Sequence, residues 1–528
     1  MLLAVLTAST LAARDVKPSQ REQQEALQEY RKLMTSTLPS VRSLGVARLK
    51  GMDFVWRVEE LLKVIRSEGG FKKTENVLVV QEAIDVLGTT REKEAVILLM
   101  ESIIKEKDSA VRTGLMESLG GLSLKPDDEE LPWEAIEKVL DAGLESSRGQ
   151  EVIASVECYG ALRRTDKFDL IIPHLAHADW QVRSAVVSAM VSMFDKRHPR
   201  GISDLYTQLE EEKGKLRTQI KDALTGMTGW DCEYDVDCWR GKWRMYMAGG
   251  GSGAIPPDEE EGDPKARTVA QFFNIELTSD RLLILVDVSS SMLERYEGPE
   301  YSVVATDQDW KDNPRGFAKE GELCKWDVAR EELISAIGRL EDKQNFNMVF
   351  FGDDTTKWKR DLMPANATAK KSAIKKLDSI TPSRRAQTNM YGALEAAFRM
   401  AGAGVKSELG GVGIDTVVLF TDGYPTIGEI SLRTPQLGAD GKPIKDDKGE
   451  TVPIPVDVCY KLIQQTIKNI NRYSKVTIHT VGIGDHAAVL LQNLARDSGG
   501  KYAKVEAVSA ERAKKKKALE RDKVGDGN

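Results

Sequence analysis

Residues 282–292 read Leu-Leu-Ile-Leu-Val-Asp-Val-Ser-Ser-Ser-Met, a run of five apolar residues followed by Asp287, Ser289 and Ser291. The run has the length and the aliphatic content of a strand that is buried on both faces of a parallel sheet. The polar residues follow at the carboxyl end of that strand, where the ligands of open α/β sheets bind. One carboxylate and two hydroxyls are oxygen ligands, which suit Mg²⁺ or Mn²⁺ rather than Zn²⁺ or Cu²⁺. A hydroxyl ligand adds no charge, so a cation held here needs a further anion.

Two later segments end in side chains that can complete such a site. Residues 385–394 run from a loop into a predicted helix and place the Thr388 hydroxyl at the helix start. Residues 415–423 read Asp-Thr-Val-Val-Leu-Phe-Thr-Asp-Gly, a second buried strand that ends in Asp422 and a turn glycine. The three segments therefore predict one oxygen-lined cation site at the edge of a sheet.

In order and spacing these segments resemble the metal-ion-dependent adhesion site (MIDAS) of the von Willebrand factor type A (VWA) domain. The resemblance extends from about Phe272 to Val505 and implies a Rossmann-like, doubly wound, mostly parallel α/β sheet. It implies that hydroxyl groups coordinate the metal and that carboxylates act directly or through water. It also implies an open coordination position that an acidic side chain of a partner protein takes. The metal site residues carried over are Asp287, Ser289, Ser291, Thr388 and Asp422.

One residue departs from this family pattern, because Gln387 stands where a glycine usually precedes the threonine. Its side chain could crowd the metal or reach over it. Two other interpretations stay open. Asp287 could cap a turn whose serines satisfy backbone groups, and an intact site could hold its metal for a structural purpose alone.

The composition indicates a soluble protein of several domains. At 528 residues the chain is too long for one core, and two to four domains are expected. A net charge of −7 argues against a nucleic-acid-binding surface, which needs a basic excess. Only five histidines occur, so general bases are scarce. We expect His479, within a strand, and His486, after a Gly-Ile-Gly turn, to be packing or turn residues.

Two cysteines and residues 1–13 indicate the cellular compartment in which the protein is expected. Cys232 and Cys238 lie close enough in sequence to form a small disulfide loop in an oxidising compartment, and no histidine accompanies them to suggest zinc. Residues 1–13 are apolar and end in small residues, which resembles a signal peptide without its basic region; a buried first helix is the alternative. We expect residues 1–19 to be a leader and the protein to be exported, periplasmic or extracellular, and otherwise cytoplasmic. No segment reaches transmembrane length.

The stretch from residue 20 to 247 has helical periodicity throughout. An apolar–Arg pair recurs in it, followed by another apolar residue two helical turns later; Val79 to Leu87 fits this pattern without the arginine, and Ile153 to Ala161 fits it loosely. Counted with these two, neighbouring units lie about 30 to 40 residues apart, a period typical of paired-helix solenoids. Residues 108–112 and 179–183 resemble the second helix of HEAT repeats. We expect the arginines to pair with acidic groups of a neighbouring repeat, and residues 230–243 to close the last one. The arginines are Arg42, Arg112, Arg183 and Arg217.

An acidic Gly/Pro-rich linker is predicted at 248–267, the VWA domain at 268–506 and a charged tail at 507–528. Strands and helices alternate in this domain, which predicts a parallel sheet. Insertions at 293–323 and 427–455 leave from the carboxyl ends of strands, so they could set specificity or cover the metal. The predicted strands are 282–286, 346–351, 416–421, 476–482 and 501–505. The predicted helices are 326–340, 367–380, 390–401, 456–473 and 487–498.

These observations favour a non-enzymatic, adhesion-type module that binds Mg²⁺ or Mn²⁺ and an Asp or Glu of a protein partner. The helical repeats would offer a second interaction surface. An alternative is a subunit or adaptor of a larger ATPase-type assembly, since similar domains accompany metal chelatases; this chain has no phosphate-binding loop of its own. A metal-dependent hydrolase is less favoured because poised bases are few. Neither a nucleic-acid partner nor a membrane span is expected.

Overall fold

The computed structural model describes residues 18–36, 39–52, 54–68, 77–122, 132–195, 199–251, 255, 271–273, 275–296, 318, 322–400, 413–436 and 442–505. The charged tail and most of the predicted leader, of the linker and of the first insertion lie outside these residues. The chain divides into two compact units, one formed chiefly by residues up to Ala176 and the other chiefly by residues from Phe194 onward. In the described part no helix is long and apolar enough to cross a membrane.

The N-terminal half is helical, as the periodicity predicts. Its helices bury their apolar stripes against one another: α2 packs on α4, α4 on α6, and α6 on α8. The helices up to residue 248 are α1 (Gln20–Met34), α2 (Pro39–Ala47), α3 (Val55–Ser67), α4 (Val77–Leu87), α5 (Lys93–Lys105), α6 (Ser109–Gly121), α7 (Trp133–Leu144), α8 (Gly149–Ala161), α9 (Phe168–Ile171), α10 (Trp180–Met193), α11 (Ile202–Glu211), α12 (Gly214–Thr228) and α13 (Val236–Ala248).

Three of the four recurring arginines pair with a glutamate further along the chain, as predicted. Arg42 makes a bidentate ion pair with Glu68, in which Nε contacts Oε1 and Nη2 contacts Oε2, each at 2.8 Å. The other two pairs are Arg112 with Glu151 and Arg183 with Glu212. Arg217 differs: it donates to the Tyr234 carbonyl, and its guanidinium lies 5.3 Å from the centre of the Tyr234 ring.

Residues 230–243, which are rich in tryptophan and cysteine, contain a buried tryptophan and a disulfide. Trp239 of α13 is fully buried and its indole N–H donates to the Glu233 carbonyl at 3.0 Å. Cys232 and Cys238 form a disulfide, with their Cα atoms 5.7 Å apart. The remaining cysteines, Cys158, Cys324 and Cys459, are free and buried.

The C-terminal half is a sheet covered by helices on both faces, which confirms the predicted α/β fold. The strands are β1 (Gln271–Phe272), β2 (Ile275–Glu276), β3 (Arg281–Asp287), β4 (Asn345–Phe351), β5 (Thr355–Lys357), β6 (Met363–Pro364), β7 (Thr416–Thr421), β8 (Thr477–Ile483) and β9 (Tyr502–Val505). The helices are α14 (Lys325–Arg339), α15 (Ala367–Asp378), α16 (Met390–Phe398), α17 (Val456–Ile470) and α18 (Ala488–Asp497).

The main sheet has the order β5-β4-β3-β7-β8-β9. The pairings from β4 to β9 are parallel, whereas β5 and β6 pair with β4 in antiparallel register. Alternate residues of β3 face opposite sides: Leu282 and Ile284 pack with α14 and α15, and Leu283 packs with α16, α17 and α18. Because β3 and β7 are adjacent and parallel, their carboxyl ends lie side by side.

Four short strands were not predicted: β1 and β2, which form a separate hairpin, and β5 and β6 on the edge of the sheet. Strands of two or three residues are too short to carry a periodic pattern, and their position depends on the neighbouring strand. In the second insertion, the predicted Lys448-Gly449 turn is flanked by an antiparallel bridge between Lys445 and Thr451. The other predicted turn, Asp440-Gly441, lies outside the described residues.

Candidate metal centre

Asp287 is the last residue of β3 and is fully buried at the carboxyl edge of the sheet. Its Oδ1 accepts from the Ser289 backbone N–H at 2.8 Å, and its Oδ2 accepts from the Thr421 hydroxyl at 2.5 Å. Burial and then the charge of Asp422 raise the pKa of Asp287, although the hydrogen bonds from Thr421 and Ser289 oppose this shift. Because these two effects disfavour the ionised carboxylate, a cation beside it would stabilise that form.

The two serines follow Asp287 in a turn that leads into a short 3₁₀ helix at Ser290–Leu293. The Ser289 and Ser291 hydroxyl oxygens are 3.1 Å apart, and the Ser291 hydroxyl donates to Asp422 Oδ1 at 2.8 Å. The Ser290 N–H donates to the Ala386 carbonyl at 2.9 Å, which ties this turn to the loop that carries Thr388.

Thr388 is buried directly before α16, and its N–H donates to the Thr426 hydroxyl at 3.0 Å. Asn389 caps the helix, because its side chain accepts from the Gly392 N–H at 2.9 Å. A Cβ built on Gly423 would lie 2.8 Å from Thr388 Oγ1, so the threonine hydroxyl fits against the turn after Asp422 only because that residue is glycine. The structure thus joins Asp287, Ser289, Ser291 and Asp422 through hydrogen bonds and packs Thr388 against the glycine that follows Asp422.

Gln387, the departure from the family pattern, is partly exposed. Its N–H donates to Asp353 Oδ1 at 2.8 Å, which anchors the loop through the backbone. Its side-chain oxygen is buried and has no hydrogen-bond partner among the described residues. This side chain therefore retains an unused acceptor immediately before Thr388.

Lys325, the first residue of α14, is a member of the site that sequence reasoning missed. Its Nζ donates to Asp422 Oδ2 at 2.8 Å and to Glu294 Oε2 at 2.6 Å. Burial lowers the pKa of Lys325, but the charges of Asp422 and Glu294 outweigh burial, so its pKa lies above the usual value. One sequence signal pointed to it: a lysine in the first turn of a helix opposes the helix dipole and therefore needs a local anion.

The donor set fits a hard divalent cation. Three hydroxyl and two carboxylate oxygens meet at one strand edge, which is the ligand chemistry that Mg²⁺ and Mn²⁺ prefer. Within the part of the chain that the structure covers, no group of three or more His, Cys, Asp and Glu is placed to hold a metal.

The two histidines that could serve as bases make structural contacts, as predicted. His479 Nδ1 accepts from the Lys501 N–H at 3.0 Å, and burial lowers the pKa of His479 to about 4. His486 contacts the Gly484 carbonyl and the Tyr502 hydroxyl, each at 2.8 Å. Burial also lowers the pKa of His486.

Comparison with known proteins identifies the C-terminal domain. Residues 322–515 match the family described as the von Willebrand factor type A domain. This range contains Thr388 and Asp422, whereas Asp287, Ser289 and Ser291 precede it. Residues 322–515 thus belong to a VWA domain, a kind of domain that commonly mediates protein–protein interaction and binds divalent cations at its MIDAS. Domains of this family are in general not enzymes.

A human protein, inter-alpha-trypsin inhibitor heavy chain H4, is 30% identical over 110 residues, which make up 20% of this chain and 11% of that protein. Solved structures that match this chain include BatB from Bacteroides thetaiotaomicron, at 15% identity and a TM-score of 0.26, covering 47% of this chain and 98% of that one. The PilB minor pilin from Streptococcus sanguinis is 13% identical, with a TM-score of 0.27, covering 52% of this chain and 65% of that one. Proximal thread matrix protein 1 from the mussel byssus, solved with zinc in its MIDAS motif, is 14% identical with a TM-score of 0.25, covering 42% and 43%.

Proposed function

We propose that this chain is a non-enzymatic protein-binding module whose VWA domain holds Mg²⁺ or Mn²⁺ through Asp287, Ser289, Ser291, Thr388 and Asp422. An Asp or Glu of a partner protein would take the open coordination position. The bound cation would supply the positive charge that attracts that carboxylate. The helical repeats would provide a second surface for protein contact.

The observation that carries this proposal is the burial of two carboxylates beside three hydroxyls. Asp287 and Asp422 are 0% and 1% exposed. A buried charge is costly unless an opposite charge lies beside it. Lys325 contributes one positive charge but is shared with Glu294, so negative charge remains at the site. A divalent cation would balance it, and the uncharged hydroxyls would leave that cation able to accept another anion.

Binding of the metal alone tests the first half of the proposal. The full chain, freed of metal, would be titrated with Mn²⁺ and followed by calorimetry. Asp287→Ala should weaken Mn²⁺ binding at least about tenfold, because it removes a carboxylate that no other residue replaces. Asp378→Ala, at the exposed end of α15, removes the same charge away from the site and should bind Mn²⁺ like the wild type. Equal affinity in Asp287→Ala and the wild type would overturn the assignment of the site.

The second half of the proposal requires that the partner be held through the metal. Immobilised wild-type chain would be exposed to an extract in Mg²⁺, and the captured proteins compared with those captured in chelator and by Asp287→Ala. We expect at least one protein to be captured by the wild type in Mg²⁺ only, and to be lost on addition of chelator. If the same proteins bound equally well in chelator, the metal bridge would be ruled out, although the helical surface could still bind them.

A further inference from the structure

Lys325 places a fixed positive charge inside the candidate metal site. Its ammonium bridges Asp422 and Glu294, with nitrogen–oxygen distances of 2.8 and 2.6 Å. The side chains of Lys325 and Asp422 are 9% and 0% exposed, whereas that of Glu294 is 38% exposed. The lysine thus joins a buried carboxylate that faces the site to one that solvent can reach.

The surrounding backbone accommodates this lysine specifically. Gly484 follows β8 with a φ of +64°, a conformation that favours glycine. A Cβ built on Gly484 would lie 2.9 Å from Lys325 Cε. The absence of a side chain at Gly484 therefore leaves the path along which the lysine stem reaches Asp422. This contact explains the second glycine of the Gly-Ile-Gly turn, which does not have the spacing of a phosphate-binding loop.

The ammonium and a divalent cation would compete for the same carboxylate. Both oxygens of Asp422 are engaged: Oδ1 accepts from Ser291 and Oδ2 accepts from Lys325. A metal that approaches Asp422 meets the repulsion of a positive charge already in contact with it, in a site where burial weakens solvent screening. Glu294 offers the ammonium a second anion at the rim of the site.

We propose that Lys325 is a tethered cation that competes with the divalent metal for Asp422 and thereby sets the metal affinity of the site. This inference rests on the proposed function, namely that the site binds Mg²⁺ or Mn²⁺. When metal binds, the ammonium releases Asp422 and is retained by Glu294. Metal binding is thereby linked to the first turn of α14.

The test measures Mn²⁺ binding to the full chain with three substitutions. Lys325→Met removes the charge and keeps a long apolar stem, so it should bind Mn²⁺ at least about tenfold more tightly than the wild type. Lys325→Arg keeps the charge and should stay close to the wild type. Lys371→Met, at an exposed position of α15, controls for the change in net charge and should leave the affinity unchanged.

Glu294→Gln provides a second test on a half-exposed residue whose replacement leaves the core intact. Among the described residues, Glu294 and Asp422 are the carboxylates that pair with Lys325, so without Glu294 the ammonium should hold Asp422 more firmly and Mn²⁺ binding should weaken. In the Lys325→Met background the same substitution should have a much smaller effect, because there is no ammonium left to retain. An equal effect of Glu294→Gln in both backgrounds would overturn the retention of the lysine by Glu294.

The remaining outcomes separate this inference from the proposed function. If the wild type binds Mn²⁺ and Lys325→Met binds it no more tightly, the competition is ruled out while the metal site stands. If neither protein binds Mn²⁺, both the competition and the metal site are ruled out. Binding by Lys325→Met alone would support both.

Thermal unfolding in chelator provides a readout that needs no metal. Lys325→Met should unfold at a lower temperature than the wild type, because Asp422 then lacks its buried partner. Addition of Mn²⁺ should reverse this loss of stability.

Discussion

At the scale of single residues, Thr421 fixes the orientation of Asp287. Its hydroxyl donates to Asp287 Oδ2 and accepts from the Gly423 N–H at 3.1 Å. Thr421→Val keeps the shape of the side chain and removes both bonds. We expect the free energy of unfolding to fall by about 1–3 kcal/mol, because buried polar groups lose their partners. Urea denaturation in chelator would measure this change.

The matched control lies on the same strand. Thr416, at the start of β7, is also buried but makes no side-chain hydrogen bond among the described residues, so Thr416→Val should lower the free energy of unfolding by less than Thr421→Val does. A loss at Thr416 as large as that at Thr421 would show that strand packing, and not the bond to Asp287, causes the effect.

The residues of the candidate site differ in how readily sequence reveals them. Asp287 and Asp422 each follow an apolar run, and Thr388 begins a helix, so the topology of a parallel sheet is enough to predict that they meet. Lys325 is marked only by its place in the first turn of a helix, which does not indicate which anion it contacts, and Thr421 has no marker. Their roles depend on which side chain reaches across to a carboxylate, and this depends on the local path of the backbone at Gly484 and Gly423.

At the scale of elements, the helical half contains helices whose first turn depends on a single cap. The Asp108 side chain accepts from the N–H groups of Ala110 and Val111, at 3.0 and 3.3 Å, at the start of α6. Asp108→Ala should lower the free energy of unfolding by about 1 kcal/mol, whereas Asp108→Asn, which can still accept these bonds, should cost less. Hydrogen exchange of the α6 amides would measure the difference. Equal exchange in the two variants would contradict a capping role.

Periodicity predicted the long strands and helices of the C-terminal half within a few residues of their observed bounds, because each of them buries a regular apolar face, but in the N-terminal half it predicted helices without their bounds. The short antiparallel strands β5 and β6 were missed, since two or three residues provide no period. Side chains also define boundaries that periodicity does not detect. The Asn366 side chain, for example, starts α15 by accepting from the Ala369 N–H at 2.9 Å.

At the scale of the whole molecule, the unit that contains the sheet also contains α11, α12 and α13. Lys215 of α12 donates to the Lys475 carbonyl, and its ammonium lies 4.8 Å from the centre of the Trp180 ring. Burial lowers the pKa of Lys215 to about 7, although the charge of Asp415 opposes this shift. The lysine thus joins a helix to the segment that leads into β8.

This lowered pKa makes stability depend on pH. The folded-state pKa lies below the ordinary lysine value of 10.5, so between the two values the unfolded chain binds more protons. The free energy of unfolding of the wild type should therefore rise, relative to that of Lys215→Met, as the pH increases from about 7 to 9. Urea denaturation of both proteins at each pH would measure this difference. A difference that does not change with pH would contradict the lowered pKa.

The sequence predicted a helical N-terminal half and an α/β C-terminal half, and the structure has both. The exact boundaries between the domains remain a prediction. Composition identified residues 248–267 as a linker, and most of these residues lie outside the described part of the chain. Contacts such as that between Thr218 and Thr278, at 2.9 Å, join residues on either side of this segment. Composition carries no information on such contacts, because they depend on complementary side chains that are distant in sequence.

Strand β3 is paired along its length with β4 on one side and with β7 on the other, so that Asp287 stands opposite Phe351. Adding or deleting one residue within β3 would reverse the side to which each of its side chains points and would carry Asp287 away from its partners. Segments that leave the sheet after its carboxyl ends are free of this constraint. In descendants of this gene, length variation should therefore accumulate around the rim of the site, while the spacing within its central strand remains invariant.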